Sequence, residues 1–269
     1  MLTPGCQQGG ATSSAVHGAP TTARRLPMIT LHSFGPMFGL PEASPYVTKT
    51  EVQLKLLGLP YTKERARPDQ SPKGQLPFID DGGARIADSH FIREHLEKKH
   101  GKDLDAGLDA RQRAEAWAVE RMIEHQLAAA SGCARWLIPE NFAKGPANFV
   151  NGAPEEARPK LREELLARVR ENFRAMGIGR HSDAEIVELG ARSLSALSAL
   201  LGDEPYLFGA RPAGVDATAF AVLAGLLTPF FDSPLRRRAE GFANLTAYTA
   251  RLMKEFYPDH PWEAPRPGA

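Results

Sequence analysis

A small α/β sandwich followed by an all-helical region is the fold class this sequence predicts. Three observations predict it. Short β-prone runs and one-sided helical spacing alternate between residues 28 and 101. After a linker at 102–109 the strand signals vanish, and apolar residues recur at every third or fourth position as far as Phe256. Ala217 to Leu227 is apolar on nearly every side, as a helix through the middle of a helical core must be.

The elements follow in order. Ile29 to Ser33 is a short β-prone run that ends in Phe34-Gly35-Pro36, and a Gly- and Pro-rich loop continues to Ala43. Ser44-Pro45 has the form of a helix start, with Ser at the N-cap and Pro at the first helical position. Tyr46, Thr50, Leu54 and Leu57 keep helical spacing until Gly58 closes the helix. Tyr61 to Ala66, Leu76 to Ile79 and Ala84 to Ala87 read as three further strands, the last two joined by the hairpin signal Asp81-Gly82-Gly83. Ser89 is expected to cap a helix carrying Ile92 and Leu96, which ends at Gly101.

In the second half, Val119, Ile123, Leu127, Ala130, Ala134 and Leu137 form one face of a long helix, and residues 156–176 form a charged one. Ser182-Asp183-Ala184-Glu185 is a capping box opening a third, with Ile186, Leu189, Leu194 and Leu197 apolar. Leu245, Tyr248, Leu252 and Phe256 mark the last amphipathic helix.

Composition excludes several function classes. With 33 basic and 32 acidic residues the net charge is +1, which draws the chain to neither nucleic acid nor membrane. The densest basic cluster, Arg236-Arg237-Arg238, reads as a solvated helix face. Two cysteines, Cys6 and Cys133, build neither a disulfide framework nor a cysteine metal site, as expected of a reducing, cytoplasmic setting. No apolar run reaches the roughly 18 to 20 residues that cross a bilayer. Glu97 and His100 have the spacing of carboxylate metal sites, but a single copy beside Lys98 and Lys99 reads as an exposed helix end, so no metal is expected. Residues 1–27, rich in Gly, Ala, Ser and Thr and free of acids, are expected to be a disordered extension, or to precede a true start at Met28. The expected organisation is then 28–101, 106–257 and a tail at 258–269.

Several of these segments resemble one family. Ser44-Pro45-Tyr46-Val47 followed by Leu57-Gly58-Leu59-Pro60-Tyr61 is similar to the first helix and second strand of glutathione transferases. Ser71 to Ile79 resembles the segment around that family's cis-proline, and Asp88-Ser89 its acidic-Ser pair. Gly177 to Ser182, Leu197 to Phe208, Val215 to Thr218 and Asn244 to Tyr248 look like the failed-axon-connections branch, related to metaxins. The resemblance covers residues 28–257. It implies a thioredoxin-like glutathione-binding domain at 28–101 and an all-helical domain at 106–257, the glutathione-transferase fold.

The resemblance also implies a chemistry. A free thiol has a pKa near 8.5, so the family's reaction needs a site that stabilises a negative sulfur. On local sequence Ser44 is an N-cap; by resemblance its hydroxyl also donates to the glutathione thiolate, backed by the free N–H groups and positive end of the helix behind it. Pro77 is implied to be cis, turning the Leu76 backbone outward as a strand edge for the tripeptide. Asp88 and Ser89 are implied to hold the γ-glutamyl group, Asp88 its ammonium and Ser89 its carboxylate. Gln75 completes the binding set, although many relatives carry lysine there. Val47 replaces the second cysteine of redox-active relatives. Ala213 replaces the usual capping Ser or Thr, which is expected to leave Asp216 without its reciprocal partner, and the loop Met37 to Ala43 is longer than usual.

Trp117, Arg121, Glu124 and His125 are candidates to line a pocket for a small hydrophobic electrophile. Glutathione is a co-substrate, and no bound cofactor is implied. A homodimer, the superfamily's usual assembly, is left open. The sequence supports two functions: glutathione transfer to, or glutathione-dependent reduction of, an electrophile, and a non-catalytic metaxin-like interaction module on the same fold.

Overall fold

The computed structural model describes residues 28–263. The expected extension 1–27 with Cys6, and residues 264–269, lie outside the described residues.

The sheet-bearing half is built from β1 (Ile29–Ser33), α1 (Pro45–Leu56), β2 (Tyr61–Arg65), β3 (Phe78–Asp81), β4 (Ala84–Ala87) and α2 (Ser89–His100). The sheet order is β2-β1-β3-β4; β1 and β2 are parallel, and β1–β3 and β3–β4 are antiparallel. The connection β1-α1-β2 is long enough to carry its helix across one face, which parallel pairing requires. Between β3 and β4, Gly82 and Gly83 have φ of 63° and 90°. A two-residue hairpin turn matched to strand twist needs positive φ at both places, so glycine serves both. The ladder of β3 begins at Phe78, two residues later than the sequence predicts. Pro77 has no N–H to give it and follows a cis peptide bond.

The helical half comprises α3 (Ala110–Met122), a π-helical turn (Ile123–Leu127), α4 (Ala128–Leu137), α5 (Pro139–Lys144), α6 (Arg158–Ala175), α7 (Asp183–Leu201), α8 (Gly214–Leu227), α9 (Pro234–Glu240) and α10 (Ala243–Phe256). The long helix foreseen from Val119 to Leu137 is the run α3–π turn–α4. The expected capping box opens α7: Ser182 N–H donates to Glu185 Oε2 at 2.8 Å, and Glu185 N–H to Ser182 Oγ at 3.4 Å. All of α8 is buried, and Ile123, Leu127, Leu194 and Leu252 pack in the same core. α6 buries nothing completely, as its charge predicts.

One expectation about caps is corrected and one holds. Asp88, not Ser89, is the N-cap of α2; its Oδ1 accepts from His90 N–H at 2.9 Å, and Ser89 is the first helical residue. Asp216, as expected, has no reciprocal side chain at Ala213, yet it is bonded. Its carboxylate accepts from the N–H of Ala213 (2.8 Å), the N–H of Leu207 (3.0 Å) and the Tyr248 hydroxyl (2.8 Å). Ala213 lacks a side-chain acceptor, and neighbouring chain supplies the bonds instead.

α1 joins the halves. Every residue from Val47 to Leu54 is buried. Val47 and Leu54 belong to the sheet core with Leu31, Phe78 and Ile92, whereas Val52 belongs to the core around α8. A helix buried on all sides presses its polar residues toward specific pairings, which Lys49 and Glu51 make and Gln53 does not.

Candidate active site

Strand register gathers the predicted residues at one end of the sheet. His32 faces Phe78 across β1–β3, and Phe78 faces Ala87 across β3–β4. The next residue outward on each strand is therefore Ser33, Pro77 and Asp88. Asp88 N–H donates to the Pro77 carbonyl at 3.2 Å and locks the last two together. The chain leaves β1 at this end, loops through 34–44 and enters α1, so the start of α1 belongs to the same place.

Ser44 stands at the N-cap of α1 with extended backbone (φ −101°, ψ 126°), but its hydroxyl makes no capping bond. Thr48 takes up the Ser44 carbonyl through both its N–H (3.0 Å) and its hydroxyl (3.1 Å). Ser44 is half-buried, and its hydroxyl has no partner among the described residues. A hydroxyl released from capping at a helix start, where N–H groups lack intrahelical acceptors, is equipped to donate to an anion.

The peptide group before Ser44 is gripped on both sides. Its N–H donates to Glu42 Oε1 at 3.3 Å, and the Ala43 carbonyl accepts from Arg135 Nη1 at 2.9 Å. Glu42 is 1% exposed and also accepts from Gly35 N–H at 3.0 Å, so it ties the two ends of the loop together. Burial raises the Glu42 carboxyl above its ordinary range, against the opposing pull of Lys63.

Leu76 and Pro77 are buried, and the backbone N–H and C=O of Leu76 have no partner among the described residues. They form the unpaired strand edge that the resemblance implies, next to the end of β3. Asp88 is exposed and holds φ of 82°, a left-handed conformation that Asp tolerates better than most residues. Ser89 is buried, while Gln75 is exposed.

The candidates on the long helix divide. Arg121 lies over the Trp117 ring, 4.4 Å from its centroid, and its Nη2 is 2.7 Å from Glu124 Oε2. Trp117 meets His90 of α2 edge-on at 5.0 Å, which brings α3 against the helix that starts at Ser89. Glu124 is buried and reaches back to Lys49 of α1, with Oε1 2.7 Å from Nζ. His125 is exposed. Glu124 and His125 both lie in the π-helical turn, and widened turns of this kind recur at functional sites. Glu97, the other half of the discounted metal pair, accepts from Arg93 Nε and Leu104 N–H. Among the described residues no group of three or more His, Cys, Asp or Glu is placed to hold a metal.

Two cavities accompany the cleft. One of about 200 Å3 lies between α2, α3 and the start of α8, bordered by His90, Arg93, Trp117, Glu120 and Val215. A larger one of about 290 Å3 lies within the helical half, among Ala130, Cys133, Leu137, Ile186 and Leu235, and touches none of the predicted site residues.

Sequence reasoning missed Lys49, Glu42, Arg135 and Phe38. Lys49 carried a signal, a cation in the middle of a helix whose neighbours Val47, Val52 and Leu54 are apolar. Glu42 and Arg135 act by reaching main-chain atoms, which leaves no pattern in sequence. Phe38 sits at φ 61° and packs against Phe149, Phe230 and Phe231 with centroids 5.1 to 6.0 Å away.

Comparison with known proteins identifies the family. The model of the glutathione S-transferase N-terminal domain matches residues 45–141, and that of the C-terminal domain residues 190–252. The isoprene-epoxide–glutathione S-transferase of Rhodococcus sp. (strain AD45) is 34% identical over 243 residues, covering 85% of this chain and 99% of that protein. Failed axon connections of Drosophila melanogaster is 35% identical over 252 residues, covering 86% of this chain and 59% of the relative, so the chain spans less than two thirds of its length. Metaxin-2 of Mus musculus is 27% identical over 191 residues, covering 70% and 72%. Among solved structures, a glutathione S-transferase of Ceriporiopsis subvermispora in complex with glutathione superposes with a TM-score of 0.58 at 18% identity, over 88% of this chain and all of that one, a likeness of fold. The chain belongs to the glutathione S-transferase superfamily, on the branch that includes Failed axon connections and the metaxins.

Proposed function

We propose that this protein transfers glutathione to a small hydrophobic electrophile, with Ser44 stabilising the thiolate. The observation that carries this reading is the free Ser44 hydroxyl at the start of α1, at the same end of the sheet as the open Leu76 edge and the Asp88–Ser89 helix start. In this reading the main chain of the tripeptide pairs with Leu76 beside Pro77. Its γ-glutamyl carboxylate meets Ser89 and the α2 N-terminus, its ammonium meets Asp88, and Gln75 borders the peptide. The thiolate then attacks an electrophilic carbon: a carbon–sulfur bond forms, the carbon–leaving-group bond breaks, and the departing oxygen takes a proton from solvent. The name of the Rhodococcus relative supports an epoxide as the electrophile. Trp117, which carries Arg121 over its ring, borders the cavity of about 200 Å3 that would receive it.

No metal or prosthetic group enters this reaction. The reading includes a cytoplasmic location; no helix among the described residues is long and apolar enough to cross a membrane. It also includes a homodimer.

A second reading, an interaction module without catalysis, is supported by the metaxin relatives and by Gln75 in the place of a lysine. Calorimetry with glutathione separates the two. Saturable binding that an alkyl-glutathione displaces, with Ser44→Ala lowering turnover about a hundredfold while binding persists, supports the transferase. Absence of glutathione binding by the intact chain sinks it and leaves the module.

A further inference from the structure

We propose that Arg135 and Glu42 are positioning residues of the sulfur site, holding the Ala43–Ser44 peptide group from opposite sides and so aiming the Ser44 hydroxyl. The proposal rests on the reading of Ser44 given above and adds what controls it.

Arg135 comes from α4, in the helical half. Its Nη1 donates to Ala43 O at 2.9 Å and its Nη2 to Gly225 O at 3.3 Å. The guanidinium lies 5.6 Å from the Phe38 ring centroid and 5.0 Å from that of Phe231. Among the described residues no carboxylate pairs with it. Burial alone lowers its pKa, to about 10. A guanidinium placed among carbonyls and aromatic rings without a counter-ion is a costly arrangement. What it obtains there is a fixed fork on two main-chain oxygens, one of them in the residue before Ser44.

Glu42 holds the other side of the same peptide group. Its two oxygens accept from Gly35 N–H and Ser44 N–H, and Ala43 N–H donates to Gly35 O at 3.1 Å, so the loop closes on itself. The loop's remaining anchors run to the helical half: Thr228 Oγ1 donates to Phe38 O at 2.7 Å, and His260 Nε2 lies 3.0 Å from Gly39 O. The peptide plane cannot turn without giving up an anchor to one half or the other. The plane of this peptide fixes the Ser44 Cα and the direction of its Cα–Cβ bond, and so the small arc of rotamer positions that the hydroxyl can reach. A displacement of about 1 Å in such a group costs roughly a hundredfold in rate.

The test titrates the ultraviolet absorbance of the glutathione thiolate in the binary complex, with calorimetry for affinity. In the parent protein the bound thiol is expected to ionise below the value of free glutathione. Arg135→Gln should raise it by about one unit, roughly tenfold less thiolate at neutral pH, while glutathione affinity stays within about twofold, because the Leu76 edge and Asp88–Ser89 are untouched. Arg135→Lys, which keeps the charge but not the fork, should fall between. Glu42→Gln removes a negative charge, which by itself would lower the thiol pKa; the clamp requires a rise. A merely structural role would lower the melting temperature and leave the thiol pKa of the folded complex where it was. If the parent lowers the thiol pKa and Arg135→Gln matches it, the clamp is overturned and Ser44 keeps its role. If Arg135→Gln does not fold, unchanged values in Arg135→Lys and Glu42→Gln overturn it equally. Failure of the parent to bind glutathione overturns both the reading and the clamp.

Discussion

The amino group of Lys49 lies 2.5 Å from Oε1 of Glu120, and the two side chains are 1% and 3% exposed. This pair joins α1 to α3, and hence the sheet half to the helical half. Glu124 adds a second carboxylate at 2.7 Å, and Thr218 of α8 donates its hydroxyl to Glu120 at 3.0 Å. The ions are well bonded, so their value lies less in net stability than in the penalty for breaking them. Lys49→Met should destabilise the fold by about 3–5 kcal/mol, because it strands two buried carboxylates. Urea unfolding measures this, and Glu120→Gln added to Lys49→Met should recover part of the loss. Indifference to Lys49→Met would mean that the carboxylates are hydrated.

The same pair sets an acid limb. Burial pushes the Glu120 carboxyl up, but the charge and hydrogen bond of Lys49, helped by Arg93 and Thr218, outweigh it and leave it below its ordinary 4.5. A depressed folded-state value means stability that is present above 4.5 and lost as pH falls through the folded value. Glu42 and Asp216, raised mainly by burial, run the other way: their contribution is present at low pH and fades as pH rises through their folded values. The difference in unfolding free energy between the parent and Glu120→Gln should therefore be widest near neutrality and narrow below 4.5. A difference that does not change with pH would remove Glu120 from the acid limb.

Much of the fold was legible because its signals are local. The Gly82-Gly83 hairpin, the Ser182–Glu185 box and the all-apolar α8 each follow from residues within a turn of one another. The site was legible in part, for a related reason. Ser44, Pro77 and Asp88 enter the candidate site through the family resemblance of short local segments; on local sequence alone Ser44 reads only as a helix cap. Contacts between distant segments were not: Arg135 reaches Ala43 across 92 positions and Lys49 reaches Glu120 across 71. The cap of α2 was misassigned because Asp88 and Ser89 are both good N-caps, and only the backbone at Asp88, with φ of 82°, decides between them.

Gln53 offers a stability test independent of catalysis. It is fully buried on α1, one turn beyond Lys49, and neither its amide oxygen nor its nitrogen has a hydrogen-bond partner among the described residues. An unbonded buried amide costs about 1–3 kcal/mol, and an apolar group of similar shape escapes that cost. Gln53→Met is expected to leave stability unchanged or to raise it by about 1 kcal/mol, read from the urea midpoint. A loss of that size would reveal a buried water bonded to the amide.

Asp88 separates a helix cap from a binding group. Asn caps helices as well as Asp and accepts positive φ, so Asp88→Asn should keep the melting temperature. It removes the carboxylate that the proposed site offers to the γ-glutamyl ammonium. Glutathione affinity should then fall about tenfold, the size of a lost charged hydrogen bond. Asp88→Ala should lose both affinity and about 1 kcal/mol of stability. Equal affinity for parent and Asp88→Asn, measured by calorimetry, would move the ammonium elsewhere.

In the proposed reading the protein handles electrophiles and must spare its own thiols, and Cys133 is placed to be spared. It is 4% exposed on α4, and burial first, then the charge of Asp183, push its thiol up to about 11. Only the thiolate reacts, so at pH 8 the reactive fraction is about a thousandth, against roughly a tenth or more for an unperturbed cysteine. In a Cys6→Ser variant, where Cys133 is the sole remaining thiol, alkylation by iodoacetamide should be about a hundredfold slower in the folded protein than in denaturant. Asp183→Asn removes the secondary charge and should speed it modestly without changing the fold. Alkylation of the folded variant within a few-fold of the denatured rate would show that the wall of the larger cavity opens to reagents, and that burial is not what protects this sulfur.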